Sequence, residues 1–413
     1  MSTPQHLLIA GGGMVGMSLA LLLDRAAPAS LSITLVEGVA LPSADTPSEP
    51  YHPSFDARST ALSYSTAEIY RRLDLWDELL PGLGPIRSIH VSRRGRPAST
   101  RLLAEEQGWD SLGWVVENPC LGRCLLAAVR RSPRLHVLCP RRVQSASAEP
   151  GGMCVRLDGD EEVRCDLLVI ADGAESALRD RLGFLTRRKS YGQDALVTNL
   201  AFERDHLGCA YERFTASGPL ALLPLPATAQ ADYRMALVWT LPPEDARELT
   251  AASEEDFSRA LLDAFGERLG RVTRVGARHA YPLALTEAVE QARRGCVVLG
   301  NAAHALHPVA GQGFNLALRD AHALAEAVLT AGDAIGDTRH LNAYAADRSR
   351  DQEQTIFASD SLPALFMQSD PIFSLGRDLA LAGLDLFPVL RREFVQQAAG
   401  MAALQSGNRG SLS

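Results

Sequence analysis

The chain has no two cysteines at C-x-x-C spacing, although seven occur in its 413 residues. The odd number and the length exclude a disulfide scaffold, and the spacing excludes a dithiol redox motif. Cys120, Cys124, Cys139, Cys154, Cys165, Cys209 and Cys296 read instead as small apolar residues of a reducing compartment. There is no basic excess. A net charge of −8 argues against a general nucleic-acid binder, though not against an anionic ligand held by backbone N–H groups. There is no long apolar run either. Leu7–Leu23 is broken by glycines and a serine and lacks a positive leader, so it is neither a signal peptide nor a membrane span. This predicts a cytoplasmic protein. No acid or second base lies at ligand spacing from His304 or His307, which read as structural rather than metal-binding. Internal repeats and low-complexity tracts are missing too.

What is present begins with Leu7–Gly16, LLIAGGGMVG. An apolar run ends in glycines, an unbroken Leu/Met/Ala-rich run follows over Met14–Asp24, and Leu31–Val36 is a second β-branched run ending at Glu37. This is strand, glycine turn, helix, strand and acid. In Gly11-x-Gly13-x-x-Gly16 the first glycine permits the turn, the second lets a pyrophosphate approach the backbone, and the third lets helix and strand pack closely. Glu37 stands 21 residues past Gly16, where an acid accepts hydrogen bonds from ribose hydroxyls. The pattern predicts dinucleotide binding without saying which dinucleotide. Far down the chain, GNAAHALHPVAGQGFNLALRD (Gly300–Asp320) places Gly311-Gln312-Gly313 before a second helix. Such a helix start stabilises negative charge, as on the N1–O2 edge of a reduced flavin. An Asp-Gly turn, ADGAESALR (Ala171–Arg179), lies between the two.

Further periodicities predict helices over Ser65–Leu80, Leu121–Arg131, Glu254–Phe265 and Phe314–Leu329, and a helical Ala345–Arg392 broken near Pro363, Pro371 and Pro388. Strands are expected at Val155–Leu157, Leu167–Ala171, Ala195–Phe202, Pro219–Pro224, Met235–Thr240, Val272–Ala280 and Cys296–Leu299. Leu41–Ser54 reads as a loop, and Arg93, Arg94 and Arg96 around Gly95 as a solvated hairpin turn.

Together GGGMVG, ADGAESALR and GNAAHALHPVAGQGFNLALRD resemble the single-component FAD-dependent aromatic hydroxylases of the para-hydroxybenzoate hydroxylase type. HPVAGQGFNLALRD and ERFTASGPLALLPL (Glu212–Leu225) are most similar to the ubiquinone-biosynthesis hydroxylases among them. The resemblance implies an α/β fold, with a Rossmann-like FAD-binding domain, an inserted sheet-rich substrate domain and a helical C-terminal part. The expected division is 1–85, 115–183 and 290–345 for FAD, 86–114 and 184–289 for substrate, and 346–413 for the helical part. It implies that Gly11, Gly13, Gly16 and Glu37 hold the ADP half of FAD. Arg58 would stand near the flavin, and Arg123 would contact the cofactor. Asp172, Gly173 and Arg179 would serve both FAD and a transient NAD(P)H. Pro308, Gly311, Gly313 and Asn315 would border the flavin ring. Asn301 stands where the family usually has aspartate, which exchanges a charged acceptor for an amide.

The implied reaction is NAD(P)H-driven transfer of one atom of O2 to a polyprenylphenol, with no catalytic base singled out. Another phenol, a prenyl-lipid reductase, a non-catalytic FAD-binding component of a biosynthetic assembly, and an NAD(P)-dependent dehydrogenase are the alternatives. The implied partners are the polyprenylphenol, O2, a ubiquinone-biosynthesis complex and the inner face of a membrane, touched peripherally. Leu362–Phe394 is crowded with Leu and Phe. Core packing, membrane contact and a partner surface all remain open for it.

Overall fold

The computed structural model describes residues 4–42, 58–94, 99–229, 231–306 and 311–367, the side chains of 362–367 excepted. Its centre is a six-stranded sheet. The order is Ala292–Arg293, Cys296–Val298, Leu167–Ile170, β1 (Gln5–Ala10), β2 (Leu31–Val36) and Leu135–Leu138. All neighbours are parallel except the first pair. The near-continuous apolar runs have a physical reason, because both faces of the sheet are covered. Leu7, Ile9, Leu167, Val169 and Val297 pack towards α1 (Met14–Ala26) and the helices Asn118–Arg131 and Gln312–Ala331. Leu8, Leu168, Ile170 and Val298 pack against Met153, Val155 and Cys165 of a three-stranded antiparallel sheet. β1 has β2 on one side and Leu167–Ile170 on the other, so the strand order reverses around it. In such sheets ligands bind outside the carboxyl ends of the strands at this switch point.

A second, larger sheet runs in the order His304–Ala305, His279–Ala288, Thr186–Phe202, Arg234–Leu241, Pro219–Pro224, Cys209–Phe214, Ser88–Arg93 and Ser99–Leu103. Its outer face buries Leu196, Leu237 and Trp239 against Phe257, Leu261 and Phe265 of the helix Glu254–Phe265. Its inner face, with Ala210 and Ala236, packs on Ile86 and Val115. Those two belong to a small sheet of Ser59–Ser63, Gly113–Glu117 and Leu83–Ile86, which lies between the two large ones.

Most expected elements are present, Leu31–Val36 and Glu254–Phe265 residue for residue. The helix expected over Ser65–Leu80 is instead two, Tyr64–Arg72 and Trp76–Leu79. Asp74 interrupts them at φ 56°, a left-handed conformation that a short polar side chain tolerates. The apolar spacing runs through the break because Ile69, Leu73, Trp76 and Leu79 all reach one core, while Leu80 is half exposed. The run Val272–Ala280 is also divided. Val272–Val275 pairs with Leu200–Phe202, and His279 restarts opposite Val197, so one edge is interrupted around Gly276. The helix Pro243–Ala251 has no counterpart among the expectations. The last described helix, Thr338–Met367, begins earlier than expected and continues through Pro363. The breaks near Pro371 and Pro388 lie outside the described residues, as does most of the Leu41–Ser54 loop. The hairpin between Ser88–Arg93 and Ser99–Leu103 is present, with Gly95 and Arg96 outside the described residues.

Candidate active site

The carboxyl ends of the central strands bring four loops together. Gly11 N donates to Val36 O at 2.9 Å, Ala171 N to Ala10 O at 2.8 Å, and Leu299 N to Ile170 O at 2.8 Å. Gly11, Glu37, Asp172-Gly173 and Gly300-Asn301 therefore sit at one edge of the sheet. The three glycines of the motif have different surroundings. A Cβ on Gly11, at φ +116°, would lie 2.4 Å from Ala171 O, and one on Gly16 would lie 2.0 Å from Gly11 O. Gly13 has ordinary φ −70° and ψ 178°, is exposed, and a Cβ there would meet nothing within 4 Å. The protein itself gives no reason for a glycine at 13. Space kept for a ligand that approaches the backbone does give one.

Gly13 is also the N-cap of α1. No side chain caps that helix, and its first turn holds no acid. Its first N–H groups and positive dipole end are thus offered to an anion from outside. Glu37 is half-buried beside the turn. Its Oε2 accepts from Gly12 N at 2.8 Å and its Oε1 from Val39 N at 2.7 Å. A carboxylate has about four lone-pair sites, so acceptor capacity for hydroxyl groups remains. Asn301 is exposed on the next loop, while Gly300, at φ +65°, lets that loop press on Val15 of α1. The residues present fit a dinucleotide laid over this edge.

Asp172 is exposed, and a Cβ on Gly173 would meet nothing within 4 Å. Arg179 is 4% exposed and turned inward. Its Nη1 donates to Ala174 O and Ala302 O, both at 3.0 Å, so it ties the Asp-Gly loop to the Gly300–Ala302 turn. Asn315 is likewise committed. Its Oδ1 accepts from Ser63 N and Thr66 Oγ1 at 2.8 Å, and its Nδ2 donates to Ala61 O at 2.9 Å and Gly311 O at 2.8 Å. It fastens the start of the helix Gln312–Ala331 to the strand Ser59–Ser63. Gly311 caps that helix at φ +60°, with no side-chain cap and no first-turn acid, and Gly313 is half-buried in its first turn. A Cβ on Gly311 would lie 2.9 Å from Ala61 Cβ. Arg58, just before the strand, is exposed, and its guanidinium stands 5.5 Å from the Tyr281 ring on the large sheet. Arg123 is exposed on the helix Asn118–Arg131. Pro308 and His307 lie outside the described residues. His304 is buried 3.6 Å from Asp320, which Arg348 Nε holds at 2.7 Å.

The inner face of the large sheet carries a feature that the motifs did not reveal. The registers place Thr100, Val91, Glu212, Ala221, Val238, Val197 and His279 in one row across the sheet. Val91, Ala221, Val238 and Val197 are only half-buried, whereas Ala210 and Ala236 on the adjacent row are buried against the small sheet. Glu212 Oε1 is enclosed and has no hydrogen-bond partner. Burial pushes its carboxyl up to about 7 from 4.5. The sequence held one clue, since Glu212 falls in the inward phase of a strand, between Ala210 and Phe214.

A raised carboxyl stabilises the fold below its unfolded value and loses that contribution as pH rises through 7. Glu212→Gln should therefore gain about 3 kcal/mol over the parent in urea unfolding at pH 8. The two should converge near pH 4.5. A pH-independent difference would show that the carboxyl is solvated.

The sequence pattern of the FAD binding domain family matches residues 5–359. The ubiquinone hydroxylase UbiL of Rhodospirillum rubrum is 34% identical over 401 residues, covering 96% of this chain and 90% of that one. The 3-demethoxyubiquinol 3-hydroxylase of Escherichia coli is 29% identical, covering 96% and 99%. Among solved structures, p-nitrophenol 4-monooxygenase of Pseudomonas putida superposes with a TM-score of 0.76 at 19% identity, over 97% of this chain and 99% of that one. The fold is thus shared with that monooxygenase. A dinucleotide edge with an open Gly13, a matching pattern over most of the chain and a relative aligned nearly end to end lead to one assignment: the chain belongs to the FAD binding domain family, as an FAD-dependent aromatic hydroxylase.

Proposed function

We propose that this protein hydroxylates the ring of a polyprenylated phenol in ubiquinone biosynthesis, consuming NAD(P)H and O2, as a 2-polyprenyl-6-methoxyphenol hydroxylase does. The similarity to relatives with ubiquinone-hydroxylase names supports the substrate class. The observation that carries the cofactor assignment is Gly13, which the fold does not require to be glycine. Bound FAD, once reduced by NAD(P)H, supplies the chemistry that activates O2 and delivers one oxygen atom to an electron-rich ring.

In this reading Gly11, Gly13 and the start of α1 receive the pyrophosphate, and Glu37 takes the ribose hydroxyls. Gly16 fixes the distance between helix and strand. Asp172, Gly173 and Asn301 line the same edge, and Arg123 adds positive charge. Arg179 and Asn315 keep the surrounding loops in place, and Gly311 and Gly313 direct a helix start at the flavin. Arg58, stacked on Tyr281, stands where the cofactor edge meets the large sheet. The half-exposed valines and alanine of the inner row spread over about 19 Å from the His279 strand to the Glu212 strand, at 4.8 Å per strand. They offer an apolar wall for a prenylated ring. Glu212, with its carboxyl near 7, can take a proton at Oε1 close to neutral pH. Among the described residues no helix is long and apolar enough to cross a membrane. The apolar stretch Leu362–Phe394 lies outside the described side chains.

The test is coupled turnover by the purified yellow protein. NADPH oxidation should match O2 uptake and hydroxylated product with a prenylated phenol, and should be slower with the same phenol lacking its tail. NADPH consumption without O2 uptake would make it a reductase. Equal efficiency with both phenols would leave a soluble-phenol hydroxylase.

A further inference from the structure

Arg93 and Arg94 take no part in the site described above. They end the strand Ser88–Arg93 near the open edge of the large sheet, away from the Arg58–Tyr281 contact. The register sets His90 opposite Arg101 on one side and Tyr211 on the other, and Ser92 opposite Arg213. These residues share the outer face, and Arg94 follows in the same phase. Arg268, just past the helix Glu254–Phe265, reaches over from above. Its guanidinium lies 5.9 Å from the Tyr211 ring, and its Nη1 is 3.0 Å from His90 Nε2. His90 is held neutral, at about 4, first by burial and then by Arg268, Arg101 and Arg213.

Four arginines thus occupy one face of three strands and a loop. Among the described residues none of Arg94, Arg101, Arg213 and Arg268 has a carboxylate within ion-pair distance, although arginine pairs with a carboxylate elsewhere, as in Arg131–Glu78, Arg188–Glu175 and Arg348–Asp320. Arg94, Arg101 and Arg268 are exposed. Arg213 is half-buried with an enclosed, unpartnered Nε. It is held below its ordinary range by burial and by Arg268 and Arg94. In a chain of net charge −8, mutual repulsion that no internal acid offsets points to an anion from outside.

We propose that this outer face docks the protein on the phosphate headgroups of an anionic lipid bilayer. The inference deepens the reading above, since a prenylated substrate resides in such a bilayer. Guanidinium forks match phosphate oxygens, and both the distribution of the four over a broad face and the exposed Ser99 between them suit a plane of headgroups. A stable protein interface would place an aromatic or aliphatic anchor at its centre, and Tyr211, the aromatic residue here, is buried.

The test is flotation of the FAD-loaded protein with vesicles of phosphatidylcholine alone and of phosphatidylcholine mixed with phosphatidylglycerol. Binding should occur only with the anionic vesicles and should fall as salt is raised. Arg94→Glu with Arg101→Glu, both exposed, should weaken it by about 25-fold or more, at roughly fivefold per arginine. The corresponding lysine pair should retain most of it. Variant FAD content and turnover of a detergent-dispersed phenol should equal the parent's, so loss of vesicle binding cannot be misfolding. Equal binding to neutral vesicles, or no effect of the glutamate pair, overturns the proposal. So does full competition by millimolar inorganic phosphate, which marks a discrete phosphate site, or absence of vesicle binding, which leaves an acidic protein as the occupant. Failure to hydroxylate a prenylphenol while charge-dependent flotation persists would remove the substrate reading and leave the docking surface standing.

Discussion

Gly13→Val is expected to deprive the protein of FAD while its fold survives, and Gly16→Val to break the fold itself. The difference follows from where a side chain would go. At Gly13 the backbone is at φ −70° and ψ 178°, which a β-branched residue adopts readily, and the Cβ meets no protein atom. The stability of the apo-protein should change by no more than about 1 kcal/mol, the order of a poorer helix cap. The added methyl groups occupy the space before the first N–H groups of α1. Each charge-assisted bond lost there costs about 1.5–3 kcal/mol of FAD affinity, or roughly 10- to 150-fold. At Gly16 the Cβ would stand 2.0 Å from Gly11 O, and that atom cannot move without opening β1 from α1. Separation of two buried backbones should cost about 3 kcal/mol or more. Fluorescence titration with FAD and apo-protein melting measure both. A Gly13→Val protein with parental FAD affinity would move the pyrophosphate away from this turn.

The same contrast explains why this part of the molecule was legible in the sequence. Strand, turn and helix within Gln5–Ala26 are fixed by contacts between near neighbours, and the apolar runs report burial on both faces of a parallel sheet. Leu31–Val36 and Glu254–Phe265 have clear ends for the same local reasons. Elsewhere the pattern of apolar residues outlasts the element that carries it. Ile69, Leu73 and Trp76 keep helical spacing through a break because the core selects which side chains are apolar, not whether Asp74 turns left-handed. Arg179 and Asn315 show another limit. A motif says that a polar residue is needed, but whether its atoms bond a cofactor or a carbonyl of the next loop depends on chain segments up to 254 residues away. The row containing Glu212 exists only once seven strands are in register, and the inward phase of Glu212 within Cys209–Phe214 is a faint local sign of it.

The strongest long-range tie of this kind is the ion pair of Glu117 and Arg234, both 0% exposed. Arg234 Nη2 donates to Glu117 Oε1 at 2.8 Å and Nη1 to Pro226 O at 3.0 Å, while Asn199 Nδ2 donates to Glu117 Oε1 at 3.0 Å. Glu117 ends a strand of the small sheet, and Arg234 and Asn199 lie on the inner face of the large one. Arg234→Leu would leave a carboxylate in the interior with its counter-charge removed, and Glu117→Leu would leave a guanidinium. Each should lower the unfolding free energy by about 3–5 kcal/mol. The double replacement should cost much less than the sum of the two, because a pair of apolar side chains incurs no desolvation penalty for charge. A urea-unfolding cycle on the four proteins reads this directly, and additive losses would mean that the two charges are solvated independently. The consequence for function follows from the neighbours of Glu117. It pairs with Ser59, and Asn118 N donates to Arg58 O at 2.8 Å, so the pair holds Arg58 in place against Tyr281 on the large sheet. The glycine turn hangs on a different sheet. At a temperature where Arg234→Leu is still folded, FAD affinity should stay within a few-fold of the parent while KM for the phenol rises. A parallel loss of FAD affinity would mean that the two large sheets depend on each other through more than this tie.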